Sequence, residues 1–143
     1  MTHDIRRLTA ANAGLLDALA PDVFDNPVDP RALAAFLADT RHVMFVAVEN
    51  GVVVGMASAF EYLHPDKPPQ LFINEVGVTP SHQRRGIGHA LTKALVQEAR
   101  ARGCTYAWLG TATDNTPAQA CFASVPGAGK PQSFLLYEWE LTP

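Results

Sequence analysis

The sequence predicts a mixed α/β fold, and three observations carry that expectation. β-rich runs flank an Asn50-Gly51 pair, an amphipathic stripe of about four turns runs from Ile87 to Gly103, and strand-like and helix-like segments alternate along the chain. In order, Ile5 to Leu8 reads as a short strand and Thr9 or Ala10 to Ala20 as a helix stopped by Pro21. Pro30 opens a second helix, Arg31 to Asp39, with Leu33, Phe36 and Leu37 on one stripe. His42 to Glu49 and Val52 to Tyr62 are strands, and Asn-Gly between them is a strong hairpin signal. Three prolines make Leu63 to Gln70 a loop, and Leu71 to Thr79 is a strand ended by Pro80.

The stripe Ile87, Ala90, Leu91, Ala94, Leu95 and Ala99 then forms a helix closed by Gly103. Cys104 to Leu109 follows as a strand, Thr116 to Ser124 as a short helix and Ser133 to Leu141 as a last strand. The sum is about six strands and about four helices in one domain, residues 1–143, without internal repeats.

Composition narrows the function classes. A chain of 143 residues that is 48% apolar and 17% charged buries roughly 70% of its unfolded surface without metal or disulfide staples. With 11 basic against 14 acidic side chains, a net charge of −3 argues against a nucleic-acid partner. The start lacks the apolar core of a signal peptide, and the apolar run Val43 to Val48 is too short to cross a bilayer, so a cytoplasmic protein without membrane contact is expected. Cys104 and Cys121 have no metal-type spacing and read as reduced, mostly buried thiols.

Charge is unevenly placed. Asp4, Asp17, Asp22, Asp25, Asp29 and Asp39 face only Arg6, Arg7 and Arg31 in the first 40 residues. Five of the 11 basic side chains, Arg84, Arg85, Lys93, Arg100 and Arg102, fall between 84 and 102 beside one acid, Glu98. A solvated helix face explains such a run, as does an anion site.

The run Ser81-His-Gln-Arg-Arg-Gly-Ile-Gly-His-Ala90 joins strand to helix. Glycines at a helix start let backbone approach a ligand, and the free N–H groups of the first turn favour an anion. Arg84 and Arg85 add full charge where a pyrophosphate or a 3′-phosphate would be held. Rival phosphate motifs fail. A dinucleotide fingerprint needs Gly or Ala where Leu91 stands and an acid where Tyr106 to Trp108 stand. Gly127-Ala-Gly129-Lys130 lacks the first glycine of a P-loop, which is Ser124, and is followed by Pro131. The histidines at 3, 42, 64, 82 and 89 form no H-E-x-x-H pattern, so no metal site is expected.

Taken whole, Glu75-Val-Gly-Val-Thr-Pro-Ser-His-Gln83-Arg-Arg-Gly86-Ile-Gly88 resembles the acetyl-CoA signature of the GNAT superfamily of N-acetyltransferases. Asp114-Asn115-Thr-Pro-Ala118 is similar to that family's second coenzyme element. The resemblance implies a GNAT-type mixed, mostly antiparallel sheet, acetyl-CoA as cosubstrate and an amine acceptor. It implies that backbone from Gln83 and Arg84 through Arg85, Gly86, Ile87, Gly88 and His89 to Ala90 holds the pyrophosphate. It further implies that Val76, Gly77 and Val78 pair with the pantetheine, that Asn115, Ala118 and Phe122 flank the same arm, and that strands 71–79 and 104–110 splay into a V.

Val23-Phe-Asp25-Asn-Pro27, the Tyr62-x-His64-Pro-Asp66 loop, Asn74-Glu75 and Trp108-Leu-Gly-Thr111 resemble the branch containing aminoglycoside 3-N-acetyltransferases. That likeness implies a small-molecule amine such as an aminoglycoside, met by Asp25, Tyr62, His64, Asn74 and Glu75. Asp22, Asp29, Glu61 and Asp66 are further acids that would attract a cation over the V.

An amine attacks a thioester as the free base, and an alkyl ammonium of pKa about 9 to 10 must first lose a proton. Simple alternation puts Glu75 on one strand face with Leu71, Ile73 and Gly77, where an acid needs a task or a partner; general base is the task assigned, and pairing with a basic neighbour or backbone is the structural alternative. The resemblance implies a backbone N–H of the Val76–Val78 strand as donor to the acyl oxygen. Phe122 stands where many members of the family carry a tyrosine that protonates the leaving thiolate; Tyr137 or water is left for that role. A protein lysine or N-terminal acetyltransferase and a non-catalytic coenzyme A sensor stay open beside the small-amine reading. The run Phe134 to Trp139 reads as a terminal strand or, by the same resemblance, as the contact of a homodimer.

Overall fold

The computed structural model describes residues 2–143. Five strands form one sheet in the order β1 (Asp4–Arg7), β2 (His42–Glu49), β3 (Val52–Tyr62), β4 (Gln70–Val78), β5 (Tyr106–Trp108). The first four pair antiparallel and β5 joins β4 in parallel. The β2–β3 hairpin turns on Asn50 at φ 52° and Gly51 at φ 76°, the left-handed pair that matches strand twist.

Both faces of the sheet are covered. On one lies α2 (Ile87–Ala101), whose Ile87, Leu91, Leu95 and Ala99 pack on Ala57, Ala59, Leu71 and Ile73. The other carries Met44, Val46, Val53 and Met56 beneath Leu16, Val23 and the partly buried Leu33, Phe36 and Leu37. The last three belong to α1 (Pro30–Ala38), which is capped by Asp29 through bonds from the N–H groups of Arg31 (2.8 Å) and Ala32 (3.4 Å). α3 (Thr116–Ala123) follows β5.

Two expected elements differ. Residues 9–20 give only a short 3-10 turn, Ala13–Asp17, in place of a helix. Asn12 bonds the Thr9 N–H (2.6 Å) and the Arg7 carbonyl (2.9 Å), local bonds that compete with a helical ladder, and Ala18 and Ala20 instead bond the backbone of Val53. The strand expected over 133–141 does not form, so the sheet has five strands instead of about six. One face of that segment, Leu135, Tyr137, Trp139 and Leu141, is apolar throughout and needs a paired strand to bury it, whereas β5 offers an edge of three residues.

The basic run resolves into separate jobs. Arg102 bonds Glu98 (2.9 Å), Glu61 (3.2 Å) and the Thr40 carbonyl (2.9 Å), and Arg7 reaches Glu98 at 2.7 Å. Burial pushes Glu98 up, but its two arginines outweigh that and hold its carboxyl below the usual range. This group staples the end of α2 to β1 and β3, which makes Glu61 a structural acid, not a free attractant. The cysteines are free thiols, half-buried, with both thiols pushed up chiefly by burial.

Leu91 is fully buried against the sheet. Leu91→Ala should lower unfolding stability by about 2–5 kcal/mol in a urea titration, through lost transfer energy and the residual cavity.

Candidate active site

The centre of the site is an irregularity in β4. Ser58 of β3 pairs with Glu75, but the next residue, Ala59, pairs with Ile73, so Asn74 is an extra residue bulged out of register. One extra residue reverses the alternation. Leu71 and Ile73 point under α2, whereas Glu75 shares the opposite face with Ser58, Met56, Gly77, Phe60 and Phe72. The even alternation assumed from the sequence therefore misplaces Leu71 and Ile73 relative to Glu75, while Gly77 stays beside it.

Chain crosses directly over this face. A Cβ on Gly77 would stand 2.7 Å from the Val23 carbonyl oxygen, so the absent side chain is what lets the Val23–Asp25 segment lie on β4. Val23 anchors the segment in the core at 2% exposure. The same crossing brings the exposed Asp25 near Glu75; burial pushes the Glu75 carboxyl above the usual range, and the neighbouring Asp25 carboxyl pushes it further the same way.

The strand-to-helix loop sits at the far end of β4. Gln83 donates its side-chain amide to the Val78 carbonyl at 3.1 Å and braces the loop. Arg84 at φ 62° and Gly86 at φ 84° take left-handed backbone, and Gly86 caps α2 without any side-chain acceptor. The first-turn N–H groups of a 15-residue helix are thus left uncapped, with the positive end of its dipole beside the exposed Arg84. Arg85 turns its guanidinium to Glu49 at 3.5 Å, a partner shared with His82 at 3.3 Å, and its carbonyl meets His3 at 2.7 Å. A Cβ on Gly88 would meet Cys121 Sγ at 3.1 Å, so this glycine also brings α3 close; His89 bonds Ser124 at 2.8 Å across the same gap.

Beside the site the sheet opens. β4 and β5 pair only at Gln70–Tyr106, Leu71–Ala107 and Phe72–Trp108, after which β4 runs on to Val78 alone on that side. Backbone groups of residues 74–78 facing the gap have no strand partner among the described residues. Trp108 stands at the fork, its ring 4.5 Å from that of Phe72 and its indole N–H donating to Tyr62 Oη at 2.7 Å.

A family model described as "Acetyltransferase (GNAT) family" matches residues 13–125. The chain belongs to that family. Its relatives include the N-alpha-acetyltransferase RimI of Mycobacterium tuberculosis (strain ATCC 25618 / H37Rv), 34% identical over 123 residues that span 85% of this chain and 75% of the relative. L-2,4-diaminobutyric acid acetyltransferase of Virgibacillus pantothenticus is 35% identical over 77 residues, 54% of this chain and 47% of that one. Among solved structures, AAC(6')-Iy in complex with a CoA-S-monomethyl-acetylneamine bisubstrate analog superposes with a TM-score of 0.76 at 23% identity, covering 99% and 100% of the two chains. An aminoglycoside acetyltransferase from an uncultured soil metagenomic sample gives 0.79 at 19% identity, covering 96% and 95%.

The GNAT acetyltransferase brings together some of the residues expected from sequence and separates others. Glu75 and Asp25 meet, and Asn74 occupies the bulge beside them. Tyr62 and His64 stand further along: Tyr62 is four residues along β3 from Ser58, roughly 13 Å, on the same face, packed on Phe60, and its hydroxyl bonds Gln70 (2.8 Å) and the Trp108 indole. His64 stacks edge-on against Tyr62 at 5.2 Å. Of the other acids, Asp29 caps α1 and Asp66 faces Lys67.

On the second coenzyme element, Asn115 caps α3 by accepting from the Ala118 N–H at 3.2 Å. Phe122 is half-buried in the wall of a cavity of about 920 Å3 between α2, β5 and the chain after α3. Phe60, Phe72 and Trp108 form an aromatic floor beside Glu75 that the sequence reading did not assign to the site; Phe60 and Tyr62 on one strand parity was the available signal. No cluster of three or more His, Cys, Asp or Glu suited to a metal occurs among the described residues, nor a helix long and apolar enough to cross a membrane.

Gly77→Ala should push the Val23–Asp25 segment off β4. The expected cost is about 1–3 kcal/mol in chemical denaturation, as for an overpacked contact.

Proposed function

We propose that this GNAT chain transfers the acetyl group of acetyl-CoA to a primary amine of a small, cationic acceptor, with Glu75 as general base. The observation that carries the reading is one continuous unit: β4 places a half-buried carboxylate on an open strand edge, and the loop that follows ends in the uncapped, glycine-led start of α2. Acetyl-CoA, when bound, supplies a thioester carbonyl open to an amine. The backbone of Arg84 to Ala90 would hold its pyrophosphate, with Arg84 as the free cation there. Val76 to Val78 would take the pantetheine along the unpaired edge, and Asn115, Ala118 and Phe122 flank it from α3.

Glu75 removes a proton from the acceptor ammonium, whose pKa of about 9 to 10 otherwise leaves little free base near neutral pH. Its raised affinity for a proton makes it a stronger base than a solvent-exposed carboxylate. Asp25 and Glu75 together present negative charge, and Phe60, Phe72 and Trp108 an apolar floor, which suits an amine carried on a ring or alkyl frame. Aminoglycosides fit that description, and structural neighbours that are aminoglycoside acetyltransferases support it. A protein N-terminus is the second reading, favoured by the RimI relative.

A thiol-release assay with acetyl-CoA against aminoglycosides, diamino acids, polyamines and N-terminal peptides separates these readings, with calorimetric coenzyme A binding in parallel. Turnover on one class names the acceptor, and failure to bind coenzyme A would refute the proposal. Glu75→Gln should lower kcat/KM by about 100-fold or more at neutral pH and remove its acidic limb, because only the carboxylate form accepts the proton. Coenzyme A affinity should stay close to that of the parent.

We also propose a homodimer through residues 133–141. Phe134, Leu135, Leu136, Tyr137, Trp139 and Leu141 are 64 to 87% exposed, next to the free edge of β5 and the cavity beside it. A second copy of the same segment would supply the β partner that the three-residue edge lacks. Sedimentation should show a dimer that Tyr137→Lys converts to monomer; a monomeric parent chain would refute it.

A further inference from the structure

The two carboxyl groups that meet on β4 have no cation between them. Among the described residues neither Asp25 nor Glu75 takes part in an ion pair with lysine, arginine or histidine. Their contact is built in: the bulge at Asn74 turns Glu75 to this face, and Gly77, two residues on, leaves room for the Val23 backbone that carries Asp25 across. Opposite Glu75, β3 presents Ser58, a neutral group, and β5 ends at Trp108 before reaching it. The Asp25 carboxyl pushes the Glu75 carboxyl up, in the same direction as burial.

Two carboxylates in contact do not both ionise without cost; a proton or an incoming cation must offset their repulsion. We infer that Asp25 is a positioning residue for Glu75, its carboxyl group and that of Glu75 forming an acidic pair between which the ammonium group of the acceptor docks. The inference rests on the base assignment made above and extends it to a residue with no chemistry of its own. On docking, a proton held by Glu75 leaves to water and the Asp25 carboxyl group pairs with the ammonium. The Glu75 carboxylate then forms an O–H bond as one acceptor N–H bond breaks, and the electron pair of that bond remains on nitrogen for attack. Asp25 thus sets the pH at which Glu75 becomes available and holds the acceptor nitrogen within its reach.

The test is a 13C NMR titration of the Glu75 side-chain carboxyl in the full-length protein, alongside pH profiles of kcat/KM with the acceptor that the panel identifies. In Asp25→Asn the Glu75 midpoint should fall by about 0.5 to 1 pH unit, the acidic limb of kcat/KM should fall with it, and KM for the cationic acceptor should rise. Asp25→Glu keeps the charge and should restore the raised midpoint, which a merely structural role for Asp25 would not require. Far-UV circular dichroism and coenzyme A affinity check that each variant is folded. An unmoved midpoint in Asp25→Asn overturns the inference whatever the rates do. A midpoint that moves while the acidic limb stays in place overturns Glu75 as base, and the role of Asp25 with it, by a separate arm of the experiment.

Discussion

One inserted residue in β4 decides what the rest of this molecule can do. Without the bulge at Asn74, strict alternation would bury Glu75 under α2 with Leu71 and Ile73, where an ionised carboxylate is prohibitively costly. With it, the strand serves two masters along its length: its first half is a core strand paired on both sides, and its second half is an edge carrying an acid. The divergence of β5 after Trp108 completes the change, because a strand still paired on both sides would have no backbone left to offer. Fold and site are therefore consequences of the same local break in regularity.

The coverings of the sheet then acquire reasons. Gly77 is small because chain passes over it, and that passing chain is what delivers Asp25. Gly86 is a glycine because the entry to α2 needs left-handed backbone. Gly88 is small because α3 approaches through Cys121. The arginines of this region divide into those that hold the scaffold, Arg102 foremost, and Arg84, which faces solvent at the helix mouth.

How far the sequence revealed this depends on the range of each signal. The Asn-Gly hairpin, the stripe of α2 and the glycine-led loop are local patterns, and they stand within a residue or two of their expected places. Glu75 as the acid on the strand that leads into that loop was equally legible. The bulge was not, since alternating and bulged strands look alike in a single sequence, and the error it caused fell on the face shared by Leu71 and Ile73. Tyr62 and His64, expected to meet the acceptor with Glu75, stand four and six residues along the chain from its partner Ser58, a spacing that register sets and one strand alone does not show. The missing last strand is the converse case: residues 133–141 have every local property of a strand, and only the shortness of β5 tells against it.

The fork of the V also carries its own optical probe. The chain has two tryptophans, and they report on different regions. Trp139 is 77% exposed on the C-terminal segment, whereas Trp108 is 37% exposed at the fork, hydrogen-bonded to Tyr62 and packed on Phe72. With Trp139 changed to phenylalanine, the intrinsic emission comes from Trp108 alone, so a change of surroundings at the fork or in the adjoining cavity is observable without labels, coupled assays or a turning-over substrate.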